Sequence, residues 1–199
     1  MKHPNLFQSY TFDNGVTVSN RLVVAPMTHL ASDDNGHITN EERQFLTDRF
    51  RGIGLFISAA TLVHEGGKAF YGQPEAIGTE DLPSLREVAR IAHDQGAKAL
   101  LQIHHGGWQS IPELNPNGEI FAPSEHPETG AKALTEAQIQ SIIDGYGRAA
   151  ELALEAGFDG VEIHGANNYL IQQFFSAQSN RRTDAWGGNL QNRLRFPLA

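Results

Sequence analysis

Four short segments hold most of the residues that could do chemistry. They are Pro26-Met27-Thr28-His29, Ser58-Ala59-Ala60-Thr61, Gln102-Ile103-His104-His105 and His164-Gly165-Ala166-Asn167-Asn168-Tyr169. Each follows or ends a short apolar run. Three of them bring amides, imidazoles and hydroxyls, and the second brings small side chains. Small residues let a flat ring approach the backbone, while amides and hydroxyls suit the polar edge of that ring. The combination points to orienting a cofactor rather than to hydrolysis. His164 and Asn167 lie three residues apart on a turn leaving a strand, so both can aim N–H donors into one mouth. Two donors directed at one oxygen stabilise negative charge developing there.

Structural readings of the same residues compete with these. A lone histidine after a strand is usually structural, Gln102 can be an ordinary hydrogen-bonding residue, and Thr28 can be a turn or helix cap. The pair His104-His105 raises the question of a metal, but neighbours on a strand point to opposite faces, and no metal site is expected. Arg181 and Arg182 are expected to hold a loop through a carboxylate such as Asp184 rather than to bind substrate.

The elements that must position these segments follow from the apolar pattern. Tyr10-Thr11-Phe12 and Val16-Thr17-Val18 flank Asp13-Asn14-Gly15, a hairpin signal. Leu22–Ala25, Leu55–Ile57, Ala99–Ile103 and Val161–Ile163 are short, predominantly apolar runs, as in parallel strands covered on both faces. Helical patterns separate them. Thr39 with Glu42 reads as a capping box ahead of Arg43 to Arg51. Pro83 suits a first helical turn, after which Leu85, Val88, Ala89 and Ala92 mark one face and Gly96 ends it. Thr135 with Gln138 is a second capping box. It opens a helix whose stripe is Ile139, Ile142, Ile143, Tyr146, Ala150 and Ala153, with Gly157 as the stop. A last helix begins near Gln191.

The order is a hairpin followed by four strand–helix units, with no linker or repeat to mark a second domain. Alternation of this kind implies right-handed crossovers and a parallel sheet. Ala25-Pro26-Met27-Thr28 follows the first strand where a doubly wound nucleotide fold would carry G-x-G-x-x-G, which favours a (β/α) barrel. In a barrel the active site lies at the carboxyl ends of the strands, where all four segments fall. The chain has 199 residues, enough for one sizeable core. Its net charge of -8 argues against nucleic acid, which needs a basic patch. With no cysteine, disulfides, thiolate metal sites and cysteine nucleophiles are excluded within these residues. No stretch reaches the roughly 20 apolar residues of a membrane helix, and Met1 to Phe12 is not a secretory signal, so a cytoplasmic location is expected.

Asn20-Arg21-Leu22-Val23-Val24-Ala25-Pro26-Met27-Thr28 resembles the first-strand signature of the old yellow enzyme family. Glu162-Ile163-His164-Gly165-Ala166-Asn167-Asn168-Tyr169-Leu170 resembles its fourth-strand signature. Ser179-Asn180-Arg181-Arg182-Thr183-Asp184-Ala185-Trp186-Gly187-Gly188, with Asn192-Arg193-Leu194-Arg195-Phe196, resembles the following loop and helix. The resemblance covers the whole chain in the family's order and is strongest towards bacterial NADH-dependent flavin oxidoreductases. It implies the amino-terminal half of a TIM barrel, an FMN cofactor, NADH or NADPH as reductant, and an electron-poor alkene such as an α,β-unsaturated carbonyl as acceptor. By the same resemblance, Thr28 hydrogen-bonds the flavin, and Pro26, Met27 and Ala60 line its ring. Gln102 binds its pyrimidine edge. His164 and Asn167 hold the substrate oxygen, and Tyr169 is the proton donor.

The sequence departs from the family pattern in three places. Trp108 stands where many relatives carry arginine, and Ala177-Gln178 where many carry Pro-His. The final residues, Phe196-Pro197-Leu198-Ala199, fall inside the expected fourth helix, whereas a full barrel needs about 250 residues. The phosphate grip and a flavin-contacting basic residue of the family would lie further on. The 199 residues alone are therefore expected to bind FMN weakly and to self-associate or need a carboxyl-terminal half. Two other readings stand beside the ene-reductase. One is a related iron–sulfur dienoyl-CoA reductase, whose cluster ligands would also lie further on. The other is a non-catalytic half-barrel module that requires a partner.

Overall fold

The computed structural model describes residues 3–199. The hairpin forms as expected. β1 (Tyr10–Thr11) pairs antiparallel with β2 (Thr17–Val18), and Tyr10 faces Val18. At the turn, the Asn14 side chain accepts from the Val16 N–H at 3.1 Å, an Asx turn.

A parallel sheet follows. β3 (Val23–Val24) pairs with β4 (Leu55–Ile57), β4 with β6 (Lys98–His104), and β6 with β9 (Gly160–Ile163). Four strands therefore lie side by side in chain order. A short β5 (Thr61–Leu62) continues along the β4 edge of β6. Ile57 faces Leu100 and Thr61 faces Ile103, so four steps on one strand match three on the other. One extra residue is therefore bulged out within Ser58–Ala60. A hydroxyl holds the bulge: Ser58 Oγ accepts from the Gln102 N–H at 2.9 Å and donates to the Ala59 carbonyl at 3.0 Å. Bulges of this kind bend a strand and re-aim its side chains, and they recur next to active sites.

Helices cover one face of the sheet. α1 (Asn40–Leu46), α2 (Leu82–Asp94) and α3 (Glu136–Ala156) enclose a core in which Phe56, Leu101 and Ile103 meet Leu85, Val88, Ala89, Ala149, Leu152 and Ala153. α3 is built as its sequence implies. Thr135 and Gln138 form a reciprocal capping box, and Gly157 ends the helix at φ 94°, a left-handed value that suits glycine. Two further helices, α4 (Leu170–Phe175) and α5 (Leu190–Arg195), close a second cluster in which Phe174 and Phe196 stack 4.1 Å apart. No helix among the described residues is long and apolar enough to cross a membrane.

Three local expectations need correction. α1 ends at Leu46, well short of Arg51, because Asp48 turns left-handed at φ 62°. Its capping box is half made. Thr39 Oγ1 accepts from the Glu42 N–H, but the buried Glu42 carboxylate turns inward to Ser32 Oγ at 2.9 Å and His29 Nε2 at 3.1 Å. The arginine loop is held by Arg182, which pairs with Asp184 and donates to the Pro123 and Leu134 carbonyls. Arg181 contributes its backbone N–H, to Ser124. The sequence reading also passed over α4 and the short parallel pair β7 (Phe121–Ala122) and β8 (Lys132–Ala133).

Candidate active site

Strand parity separates two faces. Leu101 and Ile103 enter the core beneath the helices, which leaves Gln102 and His104 on the opposite face. In the next strand Glu162 is the direct partner of Gln102. At the carboxyl ends of these strands lies a cleft of about 360 Å³. Its lining includes Pro26, Met27, Thr28, Ala60, Gln102, His164, Asn167 and Tyr169. All the residues singled out from the sequence as cofactor-binding or catalytic therefore converge on one wall.

The fourth segment forms a tight donor-bearing turn. Asn167 and Asn168 adopt successive left-handed conformations, with φ 55° and 60°. Asparagine tolerates this better than most residues because its short side chain can bond locally. The His164 Nδ1 accepts from the Ala166 N–H at 3.3 Å, which leaves the ring proton on Nε2. That Nε2 stands 3.5 Å from the Asn167 Nδ2. Two N–H-bearing atoms at this spacing can share one acceptor oxygen. Burial lowers the His164 pKa; its own backbone and the Glu162 charge oppose that shift.

The tyrosine is held between two imidazoles. Its ring meets His104 edge-on at 4.3 Å and His164 edge-on at 5.1 Å. His104 is fully buried. Its tautomer follows from its neighbour: the Ala69 N–H donates to Gln73 Oε1 at 2.8 Å, so the Gln73 Nε2 must donate to His104 Nδ1 at 3.0 Å. The proton is then on His104 Nε2, which has no hydrogen-bond partner. Burial, aided by the nearby His164, pushes the His104 pKa down to about 3. His105 faces away from the cleft towards His64, 6.0 Å between ring centroids, and burial holds its pKa well below the usual value. His104 and His105 thus diverge, as alternation on a strand requires.

Several residues at the site were not singled out from the sequence. Gln109 Nε2 donates to the carbonyls of Asn167 and Asn168 at 2.8 and 2.9 Å. Fully buried Gln173 donates to the Asn168 carbonyl at 2.7 Å and accepts from the Trp108 N–H at 3.3 Å. Gly107 has φ 61°, and a Cβ there would lie 2.1 Å from Gln173 Oε1, so glycine is required for the close approach. These two glutamines clamp the turn that aims His164 and Asn167. Nothing local in the sequence marks them. Glu162 also lines the cleft and accepts from Gln102 Nε2 at 2.7 Å. Its signal was present in the alternation Val161-Glu162-Ile163-His164, which puts it on the face of His164.

A parallel sheet covered by helices, with a cleft of flat and polar groups at its carboxyl edge, defines part of a (β/α)-barrel of the cofactor-binding kind. The chain belongs to the NADH:flavin oxidoreductase / NADH oxidase family, whose profile matches residues 5–199. It is 47% identical over 201 residues to the Bacillus subtilis (strain 168) protein named "Probable NADH-dependent flavin oxidoreductase YqiG", covering 100% of this chain and 54% of that protein. It is 41% identical over 199 residues to the NADH:fumarate oxidoreductase of Klebsiella pneumoniae (strain 342), covering 98% of this chain and 22% of that one. Among solved structures, Old Yellow Enzyme from Pichia sp. AKU4542 superposes with a TM-score of 0.90 at 27% identity, over 98% of this chain and 54% of that chain. The chain thus spans about half of the Bacillus and Pichia proteins and corresponds to the amino-terminal part of the barrel.

Proposed function

We propose that these residues form the cofactor- and substrate-facing wall of an FMN-dependent oxidoreductase that takes hydride from NADH or NADPH and delivers it to an electron-poor alkene, such as an α,β-unsaturated carbonyl. The cleft's donor set fits FMN. The short Ala60 side chain, set by the bulge, leaves room for a flat ring, and the amide of Gln102 and the hydroxyl of Thr28 suit its polar edge. When bound, FMN supplies the hydride transfer between nicotinamide and acceptor. Pro26, Met27 and Ala60 would line its ring, Thr28 would offer its hydroxyl to the ring's polar edge, and Gln102 would meet its pyrimidine side.

The observation that carries the reading is the fork of His164 and Asn167, 3.5 Å apart, beside the Tyr169 ring. A carbonyl oxygen seated between the two N–H groups gains negative charge as the conjugated carbon is attacked, and the fork stabilises it. Tyr169 delivers a proton to the adjacent carbon. A neutral His164 suits this role, since it donates through Nε2 without giving up its proton. Because the chain spans about half of the Bacillus and Pichia proteins, the phosphate grip of such an enzyme is proposed to lie outside these residues. Further strands would add to β3 and β9, each of which pairs on one edge only among the described residues.

The test is a visible spectrum of the purified full-length protein, followed by stopped-flow mixing with NADH or NADPH and then cyclohex-2-enone. Stoichiometric FMN, bleached by the nicotinamide and restored by the enone, is the expected result. A protein that takes up no flavin, or whose reduced form is indifferent to the enone, overturns the reading.

A further inference from the structure

Glu162 is a carboxylate on the wall of the proposed cofactor cleft, and no cation pairs with it among the described residues. Its contact is with an amide: Gln102 Nε2 donates to Glu162 Oε1 at 2.7 Å. The two residues are register partners on β6 and β9 and share a face. Gln102 is itself almost fully buried, and its backbone N–H is fixed by Ser58 Oγ at 2.9 Å. Its side chain therefore has little freedom except a flip of the terminal amide.

An ionised carboxylate can only accept hydrogen bonds. Facing one, the Gln102 amide must turn its NH2 towards Glu162, and its Oε1 then points elsewhere. We infer that Glu162 is a positioning residue that locks the Gln102 amide so that its oxygen is presented to an N–H donor on the cofactor's pyrimidine edge. The inference rests on the proposed flavin role of Gln102. The imide edge of a flavin has an N–H flanked by two carbonyls. The locked amide offers that edge an acceptor in Oε1, and its second N–H remains available as a donor. A flipped amide would oppose one N–H to another. The negative charge of Glu162 has a second effect, because it opposes the gain of negative charge on a neighbouring ring when that ring is reduced.

The experiment is a double-mutant cycle on FMN affinity, read by fluorescence quenching in the full-length protein, with Glu162→Ala, Gln102→Ala and the pair. If Glu162 acts through Gln102, Gln102→Ala weakens binding roughly tenfold, as for loss of a hydrogen bond of about 1.4 kcal/mol, Glu162→Ala weakens it by less, and the double change weakens it no further than Gln102→Ala. The isosteric Glu162→Gln preserves the fold but lets the facing amide adopt either orientation. It should weaken FMN binding less than Glu162→Ala and move the bound flavin's midpoint potential upward. Additive losses in the cycle, or an unchanged potential in Glu162→Gln, overturn the inference while leaving the flavin reading intact. A Gln102→Ala variant that binds FMN as tightly as the unaltered protein overturns the role of Gln102 itself, and this inference with it.

Discussion

Replacing His104 with asparagine should make the fold markedly less sensitive to acid. His104 is fully buried, and its pKa is pushed down to about 3, chiefly by burial. In the unfolded chain a histidine titrates at about 6.5. A group whose folded pKa is depressed contributes stability that is complete above the unfolded value. That contribution is lost as the pH falls towards the folded value, because the unfolded state takes up a proton the folded state refuses. At pH 5 the pH is about 1.5 units below the pKa of the unfolded ring, while the folded ring is still unprotonated. At about 1.36 kcal/mol per unit, the loss relative to neutral pH is about 2 kcal/mol.

Asparagine places an oxygen near the position of Nδ1, so Gln73 keeps an acceptor while the titrating group is removed. The variant will be less stable at pH 7.5, since a packed ring is gone. The quantity to read is the change between pH 7.5 and pH 5. Urea unfolding of the flavin-free protein at both values gives it, and the variant should lose about 2 kcal/mol less than the unaltered protein. With urea slopes of about 1–3 kcal/mol per molar, the difference in midpoint shift is about 1 M. His64, His105 and His164, whose pKa values are also lowered mainly by burial, add to the acid sensitivity of both proteins and cancel in the comparison. Equal losses would refute the reasoning, for they would mean that the folded protein accommodates a charged ring beside Tyr169.

Three other outcomes follow from the same geometry. Tyr169→Phe should slow reoxidation of the nicotinamide-reduced protein by an enone, by about 10²–10⁴-fold, while reduction by nicotinamide changes much less; stopped-flow traces of the two half-reactions decide it. Gln109→Ala removes both contacts to the Asn167 and Asn168 carbonyls and should raise the KM for the enone by up to about tenfold with FMN affinity unchanged, which steady-state kinetics and a flavin titration separate. Phe174→Ala removes a fully buried ring stacked on Phe196 and should cost about 3–5 kcal/mol of unfolding free energy, measured by denaturant titration.

The parts of this molecule that were legible in the sequence are those whose cause is local. Four apolar runs mark the four main strands because strands covered by helices on one side and barrel interior on the other leave little room for polar residues. α3 was legible to both ends because a capping box and a glycine are themselves local devices. Once the strands are placed, barrel topology gathers their carboxyl ends, so Thr28, Gln102 and His164 converge without any knowledge of contacts between them. The same logic explains the failures. The cap of α1 depends on where Glu42 goes, and Glu42 is drawn off by His29 and Ser32, ten or more residues away. The Ser58–Ala60 bulge exists only in register with β6. The clamp on the Asn167 turn reaches it from Gln109, 58 residues earlier, and from Gln173, which also holds Gly106 67 residues back. The groups proposed to touch substrate are thus set by strand order, whereas the groups that aim them are set by long-range packing. Glu162 lies between the two cases. Its face is legible from alternation, but its partner is legible only from the pairing of β6 with β9, because a carboxylate beside an amide acquires meaning only when both are known to share that face.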